Sequence, residues 1–521
     1  MTSGGADDER ATVLESLRLS CQVAKDALHD ALARVSFRQV APDVWRGLVE
    51  VAGDATLGER VTFVEVTVRE GFPFVAPKVV PNSREWAEAV TGRSLPAYYE
   101  ATRSWHREPG GAMCLFVEAD HTRLPWADGD ALLDQVRAWL AQDAAGWADP
   151  DPALDLERYV PMSNDRALVL YTDLERFAGQ VVRLHRERND VLRVGRVAVP
   201  QRVGRRGGSP AWPRDVAAVV DAGTLEAPVT TWPELLDAVE QDGEATLRRE
   251  FDRGLRHVLL LYRRAGTRAV LALELVRSGA NAEIRFLQSA PDDAATRLIR
   301  AHRGADVLAT KRVAVIGSGA IGSVLADLLD RSGVGDVTLV DSDRVLPGNT
   351  RRHLAGNGAV GLPKPTAVAD AIRAARPLGA RIHPEVKHLT TIEDAVAVLA
   401  AHELVIDATA DSAASALLAA AARVGAGAML SVAVLADGYA VRVDREPLAE
   451  GAVPLPATPL PPLEQGVYEA GCGSPVSTTP PAAVWEAAAV AARHATQFLL
   501  DPASALPGEV RVLEPWRVVT E

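Results

Sequence analysis

The chain has 521 residues, of which 48% are hydrophobic and 24% are charged. These proportions are typical of globular protein and exclude a mainly disordered or fibrous chain, and the length predicts about three or four domains. The formal net charge is −13, from 56 basic and 69 acidic side chains. Because nucleic-acid binders usually carry a basic surface, we expect no nucleic-acid partner.

Cysteine use and hydropathy indicate the compartment. Cys21, Cys114 and Cys472 lie too far apart for a disulfide framework or a CxxC zinc pair, which favours a reducing environment. The acidic N-terminus lacks the apolar core of a signal peptide. The longest apolar stretch, 415–430, contains Arg423 and two glycines and is too short to span a bilayer. We expect a cytoplasmic protein with no membrane partner.

The first 148 residues are predicted to form an α+β domain. Apolar residues at near-helical spacing predict a helix over the first 35 residues, and alternating runs predict antiparallel strands over 40–80. A helix is expected at 128–142. The stretch 143–165, rich in Asp, Pro and Gly, predicts a domain boundary.

Two further domains follow, so the fold class is α/β multidomain. Residues 149–300 mix strand-like runs with loops and predict a middle α/β linker domain, in which we find no chemistry. From 301 to 521, apolar strands alternate with helices at 320–332, 365–375 and 482–500. This alternation predicts a Rossmann-like, doubly wound parallel sheet.

A glycine-rich loop opens this last domain. Gly317, Gly319 and Gly322 form GSGAIG between the strand RVAVI and a helix, where backbone N–H groups can bind phosphate. Asp341 ends the next strand, where its carboxylate can accept hydrogen bonds from ribose hydroxyls. A NAD-dependent oxidoreductase would carry the same pattern, so this loop leaves both classes open.

The residues that follow favour a nucleoside triphosphate. Asp343, Asn349 and Arg352 come soon after the ribose carboxylate, and Lys364 precedes the next helix. Two cations and an amide suit a triphosphate whose charge must be neutralised during attack at the α-phosphorus, which hydride transfer does not require. Asp411, after a later strand, offers a carboxylate for Mg²⁺.

With these motifs, residues 300–500 resemble the ThiF/MoeB and ubiquitin-activating enzyme family. The resemblance implies a homodimeric domain that uses ATP and Mg²⁺ to adenylate the C-terminal glycine of a ubiquitin-like protein. It implies these roles: Asp341 for ribose, Asn349, Arg352 and Lys364 for phosphates, and Asp411 for the metal.

Two features depart from the family pattern, and one family residue has no single match. His353 stands where glutamine is common, and the zinc cysteines of many members are absent. The arginine that members donate from the N-terminal side has Arg297 and Arg300 as candidates.

Cys472 lies in AGCGSP, beyond a loop with six prolines, 446–463, that would let it swing. Its polar, flexible surroundings favour a nucleophile over a buried thiol. Attack of the thiolate on an acyl adenylate would give a thioester. The position also resembles the catalytic-cysteine loop of activating enzymes.

Cys114 belongs to a second pattern, which resembles the ubiquitin-conjugating fold over residues 1–145. The matching positions are Phe72, Pro73, Pro77, His106, Cys114 and Trp126. The resemblance implies a second thioester cysteine. His-Arg-Glu at 106–108 replaces the usual His-Pro-Asn, so the amide that would stabilise the oxyanion is not identified. His106 is expected to be structural, and His121 or Asp120 would act on the incoming amine or assist the thiol.

These patterns together predict a fused activating and conjugating enzyme. An acyl group would pass from the adenylate to Cys472, then to Cys114, and then to a target lysine. Such fusions resemble bacterial Cap2-type proteins of CBASS antiphage operons and related conjugation systems. The carrier would then be a ubiquitin-like protein or the C-terminus of a cGAS-like nucleotidyltransferase. The alternative is a ThiF-like sulfur-carrier activator with a docking N-terminal domain.

Overall fold

The computed structural model divides the chain into two compact units, residues 1–291 and 292–521. It describes residues 4–35, 37–51, 60–101, 106–108, 111–116, 124–147, 167–202, 210–225, 229–239, 241–264, 267–279, 281–460, 467–468, 475–476, 478–503 and 505–513. Among these residues, no helix is both long enough and apolar enough to cross a membrane.

The first part of unit 1 is an antiparallel sheet that packs against two helices. Its elements are α1 (Gly4–Arg34), β1 (Arg38–Ala41), β2 (Val44–Val51), β3 (Arg60–Thr67), β4 (Lys78–Pro81), α2 (Arg84–Thr91) and α3 (Gly129–Ala145). The strands pair in chain order. Every second residue of β2 is buried, and Val49 packs in one cluster with Leu28 of α1 and Val136 of α3. The helices predicted at both ends of this region and the strands between them are confirmed.

The second part of unit 1 consists mainly of strands. Its elements are β5 (Leu168–Tyr171), β6 (Val181–Arg186), β7 (Val191–Val197), β8 (Gln201–Arg202), β9 (Pro210–Ala211), β10 (Val216–Thr224), α4 (Trp232–Asp237), α5 (Gln241–Asp252), β11 (His257–Arg264), β12 (Thr267–Ser278) and β13 (Asn281–Pro291). Seven strands close on themselves in the order β10-β11-β12-β13-β5-β7-β6.

In the region predicted as a middle α/β linker, the structure therefore has a closed sheet with four antiparallel and three parallel strand pairings, and two helices among the described residues. The runs HVLLLY and AVLALELV, which the sequence marked as strand-like, are continuously apolar, as is typical of strands buried on both faces. In the structure both faces of these strands are buried. Leu260 packs with α4 and α5, whereas Leu259 and Leu261 pack in a separate cluster.

Unit 2 contains a seven-stranded sheet with helices between its strands. Its elements are α6 (Ala294–Leu298), α7 (Ala305–Leu308), β14 (Arg312–Ile316), α8 (Ala320–Ser332), β15 (Asp336–Val340), α9 (Lys364–Ala375), β16 (Arg381–Glu385), α10 (Ile392–Ala401), β17 (Leu404–Asp407), α11 (Ser412–Arg423), β18 (Met429–Leu435), β19 (Ala440–Glu446), β20 (Val467–Tyr468), β21 (Pro475–Val476), α12 (Pro481–Leu500) and β22 (Gly508–Val512).

The order of this sheet is β16-β15-β14-β17-β18-β19-β22. Its first five strands are parallel, and β19 and β22 continue it antiparallel. The Rossmann-like prediction is confirmed, and the three helices predicted from the sequence coincide with α8, α9 and α12. The order reverses at β14, so its carboxyl end is the place where ligands bind in such sheets.

Helix α8 carries two buried carboxylates that a single arginine bridges. Asp327 and Asp330 lie three residues apart, and therefore on one helix face, and are 3% and 4% exposed. Arg376, just after α9, donates to both. Asp327 also accepts from Arg331 at 2.6 Å, and Asp330 accepts from the backbone N–H of Ala380 at 2.6 Å. This cluster ties α8 to the end of α9.

We expect Arg376→Met to lower the free energy of unfolding of unit 2 by about 3 kcal/mol, because two buried carboxylates lose their shared counter-charge. Arg331→Met is the matched control. It removes an arginine from the same Asp327, but this arginine is 58% exposed and should contribute less than about 1 kcal/mol. Native-state hydrogen exchange of β14 and α8 amides in the full chain measures both. Equal losses in the two variants would contradict this account.

Candidate functional site

The glycine loop is shaped by two close backbone contacts. Gly317 directly follows β14 with a φ of +87°, and a Cβ there would lie 2.7 Å from the Ala408 carbonyl oxygen. A Cβ on Gly322 would lie 1.8 Å from the Gly317 carbonyl oxygen. Gly319, in contrast, has no atom within 4 Å of such a Cβ. Two glycines are thus needed for packing, and the third leaves space at the N-terminus of α8.

Asp341, directly after β15, holds this loop in place. Its Oδ2 accepts the backbone N–H of Ser318 at 2.8 Å, and its Oδ1 accepts the N–H of Asp343 at 2.8 Å. A carboxylate oxygen can accept more than one hydrogen bond. Asp341 can therefore position the loop and still accept from a ligand hydroxyl.

One pocket brings together six of the predicted residues. It lies at the carboxyl ends of β14, β15, β16 and β17, and we call it the nucleotide pocket. The six are Gly317, Gly319, Asp341, Asp343, Lys364 and Asp411. Lys364 Nζ donates to Asp343 Oδ2 at 2.7 Å, and the lysine side chain is only 15% exposed. The pocket thus combines backbone donors, a cation and carboxylates.

The structure places the other predicted residues elsewhere. Gly322 packs behind the loop, and Asn349 Oδ1 accepts the backbone N–H of Leu346 at 2.9 Å. Arg352 Nη1 contacts the Thr479 carbonyl oxygen at 3.4 Å. Neither Asn349 nor Arg352 lines the nucleotide pocket.

The two candidates for a donated arginine are not brought to this pocket either. Arg297 pairs with Asp292, and Arg300 is exposed. Neither lines the nucleotide pocket.

His353 connects the glycine loop to the segment after β15. Nδ1 accepts the backbone N–H of Ala355 at 3.1 Å, so Nε2 carries the hydrogen and donates to the Ser318 carbonyl oxygen at 2.8 Å. The side chain is 7% exposed, and burial lowers the pKa of His353 below its usual value. The ring is therefore held neutral, in one tautomer, against the loop.

Sequence reasoning missed two residues that line the nucleotide pocket, Lys387 and His388. His388 Nδ1 lies 3.2 Å from Ser342 Oγ, and its Nε2 lies 3.9 Å from Asp411 Oδ2. Both residues follow β16 within three positions. The carboxyl ends of parallel strands share one edge of a sheet, but β16 was not among the strands predicted from the sequence.

Asp411 is the described residue best suited to hold a magnesium ion. Its Oδ1 caps α11 by accepting the Ala413 N–H at 2.8 Å, which leaves Oδ2 directed toward His388. Within the described ranges, no group of three His, Cys, Asp or Glu side chains is placed to bind a metal alone. Mg²⁺ commonly binds one or two carboxylates together with phosphate oxygens and water, so the donors fit an ion that arrives with a nucleotide.

Cys472 lies outside the described residues, but the strands on either side of it are placed. β20 and β21 pair antiparallel, with Val467 opposite Val476 and Tyr468 opposite Pro475. Cys472 therefore belongs to the six residues that connect two paired strands.

Cys114 lies between α2 and α3, where backbone hydrogen bonds hold the chain. The thiol residue is half-buried, and its N–H donates to the His106 carbonyl oxygen at 3.2 Å. The His106 ring stacks on Trp147 with centroids 3.7 Å apart. Trp126 Nε1 donates to the Pro73 carbonyl oxygen at 2.5 Å. These contacts agree with a structural role for His106.

Arg107 and the two candidates for acting on the incoming amine also belong to this region. Arg107, which replaces the usual proline, donates to the Ala101 carbonyl oxygen at 2.6 Å, and burial lowers the pKa of Arg107. It therefore serves the loop's own structure. His121 and Asp120 lie outside the described residues.

Comparison with known proteins gives a family match in unit 2. Residues 293–465 match the model of the ThiF family. A molybdopterin-synthase adenylyltransferase of Escherichia coli is 32% identical over 27% of this chain and 54% of its own length. The ATP-dependent ubiquitin transferase-like protein Cap2 of Vibrio cholerae is 38% identical over 22% of this chain and 20% of its own.

An uncharacterized protein, y4oA of Sinorhizobium fredii, is 52% identical over 13% of this chain and 11% of its own length. The chain thus spans about half of one of these three relatives and a fifth or less of the other two. The residues that match the ThiF family include the glycine loop and the parallel strands around it. The C-terminal region of this chain therefore carries a ThiF family domain, homologous to Cap2 and to MoeB-like enzymes.

Proposed function

We propose that unit 2 is an ATP-dependent adenylyltransferase that activates a protein C-terminus. The observation that carries this proposal is the nucleotide pocket, where a glycine loop, Asp341, Lys364 and Asp411 meet at one sheet edge. A dinucleotide site needs the loop and Asp341 but has no use for a cation and a second carboxylate beside the phosphates. The names of the relatives, two of which are adenylating or ubiquitin-transferring enzymes, support it.

The chemistry follows from the charges in the pocket. The carrier's carboxylate attacks the α-phosphorus of ATP, the bond to the β-phosphate oxygen breaks, and pyrophosphate leaves with the electron pair. Lys364 offsets the negative charge that develops on the phosphates, and Asp341 accepts from the ribose. Mg²⁺, held by Asp411, would neutralise phosphate charge. We retain the proposal that Asn349 and Arg352 contact the phosphates of bound ATP. Arg352 would then have to break its contact with the Thr479 carbonyl oxygen.

A thioester relay would follow adenylation. The Cys472 thiolate attacks the acyl carbon and AMP leaves. The Cys114 thiolate then displaces the Cys472 thiolate, and a lysine amine of the target takes the acyl group and releases Cys114, with His121 accepting the proton. Two acyl carriers on one chain raise each other's effective concentration. The proposal also includes a homodimer that works in the cytoplasm. Each chain would consist of three domains, 1–148, 149–300 and 301–521.

The similarity to Cap2 favours a role in antiphage defence, with a ubiquitin-like protein or the C-terminus of a cGAS-like nucleotidyltransferase as the carrier. The match to a molybdopterin-synthase adenylyltransferase supports a second candidate, a sulfur-carrier activator in which the N-terminal domain only docks a partner. The two candidates differ at Cys114, which the relay requires and sulfur-carrier activation does not.

We expect Lys364→Met to weaken MgATP binding about 10- to 100-fold, because a charge-assisted contact of this kind contributes about 1.5–3 kcal/mol. Titration calorimetry of the full chain measures this change. Lys311→Met is the control, since Lys311 precedes β14 at the opposite end of the strand and should leave affinity unchanged. Tight binding of NAD with no binding of MgATP would contradict the adenylation proposal.

With MgATP and a biotinylated peptide ending in Gly-Gly, we expect thiol-labile adducts on Cys472 and Cys114 in the wild type. In Cys472→Ala both adducts should be absent. In Cys114→Ala the adduct on Cys472 should still form, and it should accumulate because it cannot pass to Cys114. Mass spectrometry under non-reducing conditions locates them. A wild type that binds MgATP but never carries an adduct would refute the relay, and product formation at the normal rate by Cys114→Ala would favour sulfur-carrier activation.

Acidification should destabilise unit 2 through His353. Because burial lowers the pKa of His353 in the folded state, the unfolded chain binds more protons below the unfolded value of about 6.5, and stability falls as the pH falls. Replacing His353 by glutamine removes this titration. The melting temperature of His353→Gln minus that of the wild type should therefore rise from pH 7.5 to pH 5.5, and a difference that stays constant with pH would disprove the account.

A further inference from the structure

Cys114 lies on a short extended stretch, residues 113–115, which we call the Cys114 segment. Met113 forms an antiparallel bridge with Arg107, and its N–H donates to the Val79 carbonyl oxygen of β4 at 2.7 Å. Met113 and Leu115 are 3% and 7% exposed, whereas Cys114 between them is half-buried. Because side chains of an extended chain point alternately to opposite sides, the burial of these two neighbours turns the thiol away from the core.

Helix α3 holds the Cys114 segment directly after the cysteine. Gln135 Nε2 donates to the Leu115 carbonyl oxygen at 3.0 Å. This carbonyl belongs to the residue that follows Cys114, so the hydrogen bond fixes the path of the chain next to the thiol. Gln135 itself is exposed, whereas the neighbouring Leu132 and Val136 of α3 are fully buried. A substitution of Gln135 should therefore leave the core of this region intact.

The C-terminal end of α3 holds the residue that accepts the Cys114 N–H. That acceptor is the carbonyl oxygen of His106, whose ring stacks on Trp147 just after α3. Trp147 Nε1 in turn donates to Asp143 Oδ1 of α3 at 2.6 Å, and the Tyr99 hydroxyl donates to Asp143 Oδ2 at 2.8 Å. Helix α3 thus restrains the cysteine at two points, one after the thiol and one through its backbone N–H.

We propose that Gln135 is a positioning residue for acyl transfer to Cys114. In this step the Cys114 thiolate forms a bond to the acyl carbon of a thioester, and the donor thiolate leaves with the electron pair of the broken bond. The attacking sulfur must meet a donor held by the enzyme at a suitable distance and angle. By holding the Leu115 carbonyl, Gln135 limits the rotation of the chain that would misdirect the sulfur. This inference rests on the proposed relay and adds to it a residue of α3.

The test compares Gln135→Met with Gln142→Met in the full chain, using MgATP and the biotinylated Gly-Gly peptide. Gln142 is an exposed glutamine of the same helix, and no described hydrogen bond joins it to the Cys114 segment. In Gln135→Met we expect faster hydrogen exchange at residues 113–116 and a rate of adduct formation on Cys114 that falls about tenfold. The adduct on Cys472 should form at the normal rate. Gln142→Met should behave like the wild type.

Two further measurements separate positioning from a general loss of structure. Alkylation of Cys114 by iodoacetamide needs no donor held by the enzyme and depends on thiolate fraction and access, so Gln135→Met should change its rate less than about twofold. Gln135→Lys keeps a donor for the Leu115 carbonyl and should recover most of the transfer rate. Gln135→Glu keeps the size of the side chain but presents an acceptor at pH 7.5, so it should transfer as slowly as Gln135→Met.

Several results would overturn the inference. Unchanged hydrogen exchange in Gln135→Met would show that Gln135 does not hold the segment, and faster exchange with a normal transfer rate would show that holding it does not serve the chemistry. Equal slowing of alkylation and transfer would indicate a less accessible thiol and not a misdirected one. In each of these cases the wild type still carries both adducts, and the relay stands. If the wild type carries no adduct on either cysteine, the relay itself has failed, and the positioning role fails with it.

Discussion

The close approach of α8 to the turn before it is the constraint on which the site in unit 2 depends. A side chain on Gly322 would collide with the Gly317 carbonyl oxygen, and one on Gly317 would collide with the chain after β17. Because the backbone takes this path, the N–H of Ser318 reaches Asp341 and the Ser318 carbonyl reaches His353. Four parallel strands therefore deliver their carboxyl ends to one pocket, which also adjoins the N-terminus of α8.

Sequence patterns predicted unit 2 well because its signals are local. A glycine loop between a buried strand and a helix fixes the fold around it, and Asp341, Asp343 and Lys364 could be found from their distance to that loop. Asp411 could be found from its place after a later strand. Arg352 could not be placed in this way, since its contact with Thr479 joins residues 127 positions apart. Lys387 and His388 were not predicted as site residues because nothing in their own segment marks them. Only the strand order of the sheet brings them to the pocket.

The middle region shows the opposite case. Its strands were recognised, but the sequence did not predict how they pair. Their continuously apolar character arises because the closed sheet is buried on both faces. In the N-terminal region the helix, the strands and the final helix were predictable from periodicity alone. The contacts that shape the Cys114 loop, such as the ring stacking of His106 on Trp147, depend on tertiary packing and left no signal in the sequence.

The antiparallel extension of the sheet in unit 2 has a consequence for how this unit must be produced and handled. β22 covers the outer side of β19 with five paired positions, from Ala440 to Asp444. Without it, β19 would present a row of unsatisfied amide and carbonyl groups to solvent, and such edges recruit strands from other molecules. Ending the chain before Gly508 would thus expose a strand edge prone to self-association. Such a truncated chain is expected to aggregate even though the residues of the nucleotide pocket are all present.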